Sequence, residues 1–180
     1  MDFEQKKMIN NKGVKGLILT GLMIALIFLG GSIIKIPTQN GIIQFGDCMI
    51  FLAAVLLDKK KASIAAAVGM SFVDVSAGYL VWVPFTFIIK GIMGYVVSVI
   101  VSKFNSKKIY VIGFITGGVI NVIGYFIGNA IIGGVILKVV SGFYPSILYA
   151  LAHAPGDIFQ SVAGIILAIP LTLIVIKINK

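Results

Sequence analysis

Long apolar runs separated by short polar breaks organise this chain. The runs extend from about Val14 to Gly31, Lys61 to Ala77, Trp82 to Ser102, Ile109 to Gly133 and Pro155 to Ile176, with a shorter one from Gly46 to Leu57. A helix needs roughly 20 apolar residues to cross a bilayer. The pattern therefore predicts six membrane helices, the second of them short and either tilted or shielded by its neighbours. Between the first two, residues 32–45 carry Pro37, Gly41 and alternating isoleucines, which predicts an extended loop or short hairpin. Residues 1–13 read as a polar tail, and Gly142 and Pro145 mark an outer break that leads through an interfacial stretch into the last span.

The polar breaks alternate in charge. All 15 basic residues are lysines. Lys6, Lys7, Lys12 and Lys15 precede the first run, Lys59, Lys60 and Lys61 follow the second, Lys103, Lys107 and Lys108 follow the fourth, and Lys177 and Lys180 follow the last. Only Lys35 and Lys138 fall on the other side, and Lys90 lies inside a span. The lysine-rich side is the cytoplasmic one by the positive-inside rule, so both termini are expected in the cytoplasm.

Composition narrows the picture further. The chain has 180 residues, 59% of them hydrophobic, and a mean hydropathy of +1.09. A soluble domain of this size has no way to bury so much apolar surface, so residues 1–180 read as one polytopic membrane domain. Spans of about 20 residues leave only about 60 residues for everything else, too few for a separate catalytic domain. The net charge of +9 is spread over loops and tails rather than along one helix face, which suits topology and anionic lipid better than nucleic acid. The lone Cys48 excludes an internal disulfide. The first run reads as a retained helix rather than a cleaved signal, and no internal repeat points to an inverted-repeat transporter. Small residues recur four apart, as in Gly21 and Ala25, Ala62 and Ala66, or Gly124 and Gly128, a spacing that lets helices pack closely in lipid. The pair on the first span serves either the bundle or a partner subunit.

Charged side chains are costly in hydrocarbon and seldom occur there without a role. Asp47, Asp74, Lys90 and Asp157 lie within or beside the runs, together with Asn121, Asn129, Gln160 and His153. Asp74 falls roughly 20 Å along its helix from Lys61, and Lys90 roughly 12 Å in from Trp82. Asn121, Tyr125 and Asn129, four apart, share a helix face. These groups collect in the outer half of the bundle and leave the inner half apolar. That asymmetry predicts a blind pocket opening outward, not a pore. A purely structural reading, with Lys90 paired to Asp74 or Asp157, stays open beside it. Tyr79, Trp82, Phe85, Tyr125 and Tyr144 lie near the same level, either as an interfacial belt or as a stacking surface for a flat ring. No second histidine joins His153, so no metal site is expected. Neither GxSxG nor GxxxxGK[ST] occurs.

The run Gly46-Asp47, then Asp74, Ser76-Ala77-Gly78-Tyr79, the block Trp82 to Gly91, Asn121, Gly124-Tyr125-Phe126 and the block Pro155 to Gln160 resembles the S components of energy-coupling factor (ECF) vitamin transporters. The match covers nearly the whole chain and is nearest the hydroxymethylpyrimidine and pyridoxine branch. The resemblance implies an all-α, six-helix substrate-binding subunit of the bacterial cytoplasmic membrane, not an enzyme and without a cofactor. Residues 32–45 would form a lid over an outward-facing vitamin pocket, with pyridoxine or hydroxymethylpyrimidine favoured and riboflavin possible as ligand. The partners implied are a transmembrane coupling protein of the EcfT type and two ATPases, which tip the loaded subunit inward. Gly21 and Ala25 match the family's docking pattern of small residues on the first helix. Asp74, Tyr79, Trp82, Lys90, Asn121, Tyr125, Asp157 and Gln160 are the expected ligand contacts. Lys90 and Asp157 would anchor the ring's polar edges, and Trp82 or Tyr125 would stack on it. Asp157 stands where relatives often carry Asn. Two other readings stay open: a stand-alone transporter or channel, which needs polar residues on the inner half, and a lipid-modifying enzyme, which needs a DxxD-type acidic motif.

Overall fold

The computed structural model describes residues 13–33, 35–38, 41–103, 106–137, 139–140 and 142–178. The expected tail up to residue 12, and the lysines at 138 and 180, lie outside the described residues. Among the described residues six helices follow one another: α1 (Gly13–Ile33), α2 (Gly46–Leu56), α3 (Lys59–Ala77), α4 (Val83–Lys103), α5 (Lys107–Ile131) and α6 (Phe143–Ile178). Between α1 and α2, strands β1 (Lys35–Thr38) and β2 (Gly41–Gln44) pair antiparallel, with Lys35 opposite Gln44 and Thr38 opposite Gly41. The hairpin is the short one that Pro37 and Gly41 predict, although α1 runs two residues into the expected loop. A π turn over Ile132–Ile136 extends α5.

Four segments are long and apolar enough to cross a membrane: Gly13–Ile33, Val83–Lys103, Lys108–Ile136 and Phe143–Ile178. Helix α2 has only 11 residues, about 16 Å of rise. It lies inside the bundle, packed against α1, α3, α4 and α6, and every residue from Gly46 to Val55 except Met49 is buried. Shielding by neighbours explains how so short an apolar helix is stable.

The last helix departs from the sequence reading. The interfacial stretch and the span expected from Pro155 form one helix of 36 residues, continuous through Pro155 and Pro170. Each proline removes one backbone donor, a loss that a helix packed among neighbours tolerates.

Local chemistry sets the ends of α3. Asp58 caps its start, accepting from the Lys60 and Lys61 N–H groups at 3.1 Å each. Gly78 ends it in the left-handed region at φ 83, a conformation that costs glycine little. That turn lets the Tyr79 N–H reach the Asp74 carbonyl at 2.9 Å.

The apolar core fills the half of the bundle nearest Lys59–Lys61 and Lys103. Phe51 of α2 stacks against Phe114 of α5 with centroids 4.8 Å apart, amid Met23, Ile27, Met70 and Val97. Buried polar side chains in that half are single hydroxyls: Thr20 bonds the Gly16 carbonyl and Ser98 the Leu57 carbonyl, while Thr172 is buried. The charged and amide groups gather in the other half.

A buried ion pair and an aromatic cleft

Helix register builds this cluster. Thr86 and Lys90 lie one turn apart on α4, Asn121, Tyr125 and Asn129 one turn apart on α5, and Asp157 and Ser161 one turn apart on α6. Asp47 sits in the first turn of α2, where the helix N-terminus favours a carboxylate. Gly164 brings α6 against it, since a Cβ there would lie 2.9 Å from the Asp47 Cβ.

Lys90 is the hub. Its ammonium, wholly buried, donates to Asp47 Oδ1 at 2.5 Å and to Asn121 Oδ1 at 2.6 Å. It also stands 5.1 Å from the centre of the Tyr125 ring, within cation–π range. Asn121 passes the network on, its Nδ2 donating to Ser161 Oγ at 3.0 Å. On the other side, Gln160 Nε2 donates to Asp47 Oδ2 at 3.0 Å, and Gln160 Oε1 accepts from the Gln44 backbone N–H at 3.1 Å. The network thus joins α2, α4, α5, α6 and the end of β2. Burying two charges is costly, and good geometry with further hydrogen bonds offsets that cost.

The partner of Lys90 is therefore Asp47, not Asp74 or Asp157. Lys90, Asn121 and Asp47 have no solvent contact, so the expected outward-opening pocket is closed at this level. The physical reason is that a charge in a low-dielectric interior binds whatever partner is nearest.

Above the hub lies an aromatic wall. Trp82 packs on Tyr125 with centroids 5.6 Å apart and on Phe85 at 6.2 Å. The Tyr125 hydroxyl meets Thr86 Oγ1 at 3.2 Å. Gly128, next to Asn129, faces Trp82 and Phe85, where a Cβ would come within 3.2 Å and 3.6 Å.

Three buried oxygens around this wall lack a hydrogen-bond partner among the described residues: Asp74 Oδ2, Asn129 Oδ1 and Asp157 Oδ2. All three are acceptors. Unmet buried polar atoms are costly and mark a place where a further group belongs. Unpartnered acceptors thus gather around the aromatic wall.

Of the expected ligand contacts, Lys90, Asn121 and Gln160 form the network, and Asp74, Trp82 and Tyr125 form the wall, with Asp157 beside it. Tyr79 is half-buried at the rim and joins the cluster through its backbone. Sequence reasoning placed Asp47 and Asn129 in the polar cluster but not among the ligand contacts, and it singled out neither Thr86, Ser161 nor Gln44 as a site residue. Asn129 and Thr86 carried a signal, one helical turn from Tyr125 and Lys90. His153 bonds the Tyr149 carbonyl within α6, and no group of His, Cys, Asp or Glu able to hold a metal occurs among the described residues. A separate groove of about 400 Å³ lies between α5 and α6, lined by Ile115, Gly118, Val122, Ile158 and Ile165. It has volume without the convergent polar groups that recognise a ligand.

Gly21 and Ala25 lie on the exposed face of α1, with nothing within 4 Å of a Cβ added at Gly21. Leu17, Leu22 and Leu29 are exposed beside them.

Known proteins resemble this chain over most of its length. It is 35% identical over 138 residues, 74% of this chain and 82% of the other, to a Pyrococcus woesei protein described as an uncharacterized protein in the gap 3' region. It is 30% identical over 147 residues, 76% of this chain and 86% of the other, to the thiamine precursor transporter HmpT of Lactococcus lactis subsp. cremoris (strain MG1363). A family model, ECF-type riboflavin transporter, S component, matches residues 11–177. The chain belongs to that family of transporter S components.

Proposed function

We propose that this subunit captures a small flat heterocyclic vitamin or vitamin precursor from outside the cell and delivers it inward together with an ATP-driven partner. The observation that carries this reading is the aromatic wall of Trp82, Phe85 and Tyr125 with the unpartnered Asp74, Asn129 and Asp157 oxygens around it. A planar ring stacks on aromatic faces. Acceptors without partners are satisfied by a ligand that brings N–H or O–H groups. Hydroxymethylpyrimidine, with an amino and a hydroxymethyl donor, fits this polarity, as does pyridoxine with its hydroxyls. The thiamine precursor transporter HmpT among the relatives supports the former. Asp74, Trp82, Tyr125, Asn129 and Asp157 are the contacts in this reading, Lys90, Asn121 and Gln160 hold them in place, and Tyr79 lies at the entrance.

The lysine distribution orients all six helices with both termini in the cytoplasm, so the cluster and the β1–β2 hairpin lie on the outer side. The hairpin is then the lid. The exposed small residues Gly21 and Ala25 on α1 form the surface for an EcfT-type coupling protein, which links the subunit to two ATPases and tips it for release. Native mass spectrometry of the detergent-purified subunit tests the reading. A co-purified amino- or hydroxymethyl-substituted heterocycle, displaced by added hydroxymethylpyrimidine, is expected. Uptake of small molecules into liposomes by the subunit without any ATPase would overturn it in favour of a stand-alone transporter.

A further inference from the structure

We infer that Gln160 is a positioning residue rather than a ligand contact: it couples the Lys90–Asp47 ion pair to the β1–β2 hairpin, so the buried pair sets how firmly the hairpin is held. The inference rests on the proposed function only in taking the hairpin as the cover of the site.

Both ends of the Gln160 amide are in use, and by groups of opposite demand. Its Nε2 donates to Asp47 Oδ2 at 3.0 Å, and its Oε1 accepts from the Gln44 N–H at 3.1 Å. A carboxylate accepts and a backbone N–H donates. The amide therefore has one workable orientation, and turning it over would break both bonds together. Gln160 is 5% exposed and Gln44 3% exposed, so water does not readily replace either bond. Gln44 is the last residue of β2 and lies two positions before the start of α2. A bond there pins the point where the hairpin enters the bundle.

The other end of the relay is charged. Asp47 shares its two oxygens between Lys90 and Gln160. A hydrogen bond to an ionised carboxylate is stronger than a neutral one. It also polarises the amide, which makes Oε1 a better acceptor for the Gln44 N–H. A change at the ion pair thus reaches the hairpin through the Gln160 side chain, since among the described residues Lys90 bonds Asp47 and Asn121, and Asp47 bonds Lys90 and Gln160. A ligand that draws on Lys90 or Asp47 would loosen or tighten the cover by this route.

Amide hydrogen exchange on the full-length, ligand-free protein tests the coupling, with residues 35–44 as the readout and α4 residues 93–101 as the internal reference. Gln160→Met keeps the length of the side chain and removes both bonds. It is expected to speed exchange across 35–44 at least tenfold while the α4 reference stays within twofold. The double variant Asp47→Asn/Lys90→Met removes the charges together. Adding Gln160→Met to it is expected to change hairpin exchange by less than twofold. Hairpin exchange within twofold of wild type in Gln160→Met would overturn the inference. So would a full tenfold effect in the uncharged background, which would make Gln160 a hairpin anchor independent of the pair. Should Gln160→Met not fold, Gln160→Asn, too short to span both partners, carries the same comparison. Because no ligand is present, failure of the vitamin reading leaves this outcome unaffected.

Discussion

Lys90 is a cation enclosed by protein on every side, and its stability depends on Asp47. Removing one member of a buried pair leaves the other uncompensated, at a cost of about 3–5 kcal/mol, whereas replacing both with apolar groups is often neutral. Lys90→Met is therefore expected to lower the melting temperature in detergent by roughly 6–20 °C for a chain of this size. Asp47→Leu/Lys90→Met should recover most of that loss. A double variant as unstable as the single one would show that the pair does more than neutralise itself. Sequence depth brought Lys90 into the outer polar cluster but nominated Asp74 or Asp157 as its partner. The reason lies in α2: with 11 residues it begins inside the bundle, so its first-turn Asp47 sits deeper than a residue opening a full span. The local pattern reports where this helix starts along the chain but not how deep in the bundle that start lies. Asn129 was legible, since it repeats the four-residue spacing of Asn121 and Tyr125, and Ser161 lies one turn from Asp157.

Close approach between elements rests on particular glycines. At Gly164, where α6 crosses α2, a methyl group would stand 2.9 Å from the Asp47 Cβ. Gly94 similarly lets α4 approach α3, with an added Cβ 2.8 Å from the Ala62 carbonyl oxygen. Gly164→Ala is expected to destabilise by about 1–3 kcal/mol through overpacking. Gly21→Ala, on an open face of α1, should be neutral or stabilise by up to about 1 kcal/mol through helix propensity. Thermal unfolding of the two variants side by side checks the contrast; equal shifts would contradict it. Hydrophobic runs revealed all six helices, with α3, α4 and α5 ends displaced by a few residues. The merging of the outer stretch with the last span was not visible. Proline at 155 reads as a helix start in water, yet in α6 the helix continues on both sides of it.

On the scale of the whole molecule, an apolar core at the lysine-rich end and a polar cluster at the other make the bundle two-sided. In the proposed reading the two ends have separate tasks, ligand capture outside and coupling along α1. Gly21→Leu and Ala25→Leu are expected to reduce capture of a coupling protein–ATPase complex more than tenfold in pull-downs, while the isolated subunit still binds its vitamin. Loss of both together would mean that the α1 face serves the bundle. The central claim is that a flat, donor-bearing heterocycle stacks in the Trp82–Tyr125 cleft against Asp74 and Asp157. The chain has one tryptophan, so its fluorescence reports that cleft alone. Titration with hydroxymethylpyrimidine should quench Trp82 saturably, and Asp157→Asn and Asp74→Asn should each weaken binding at least tenfold. No saturable quenching by any flat donor-bearing heterocycle, riboflavin included, or binding unchanged within twofold in both variants, would contradict it.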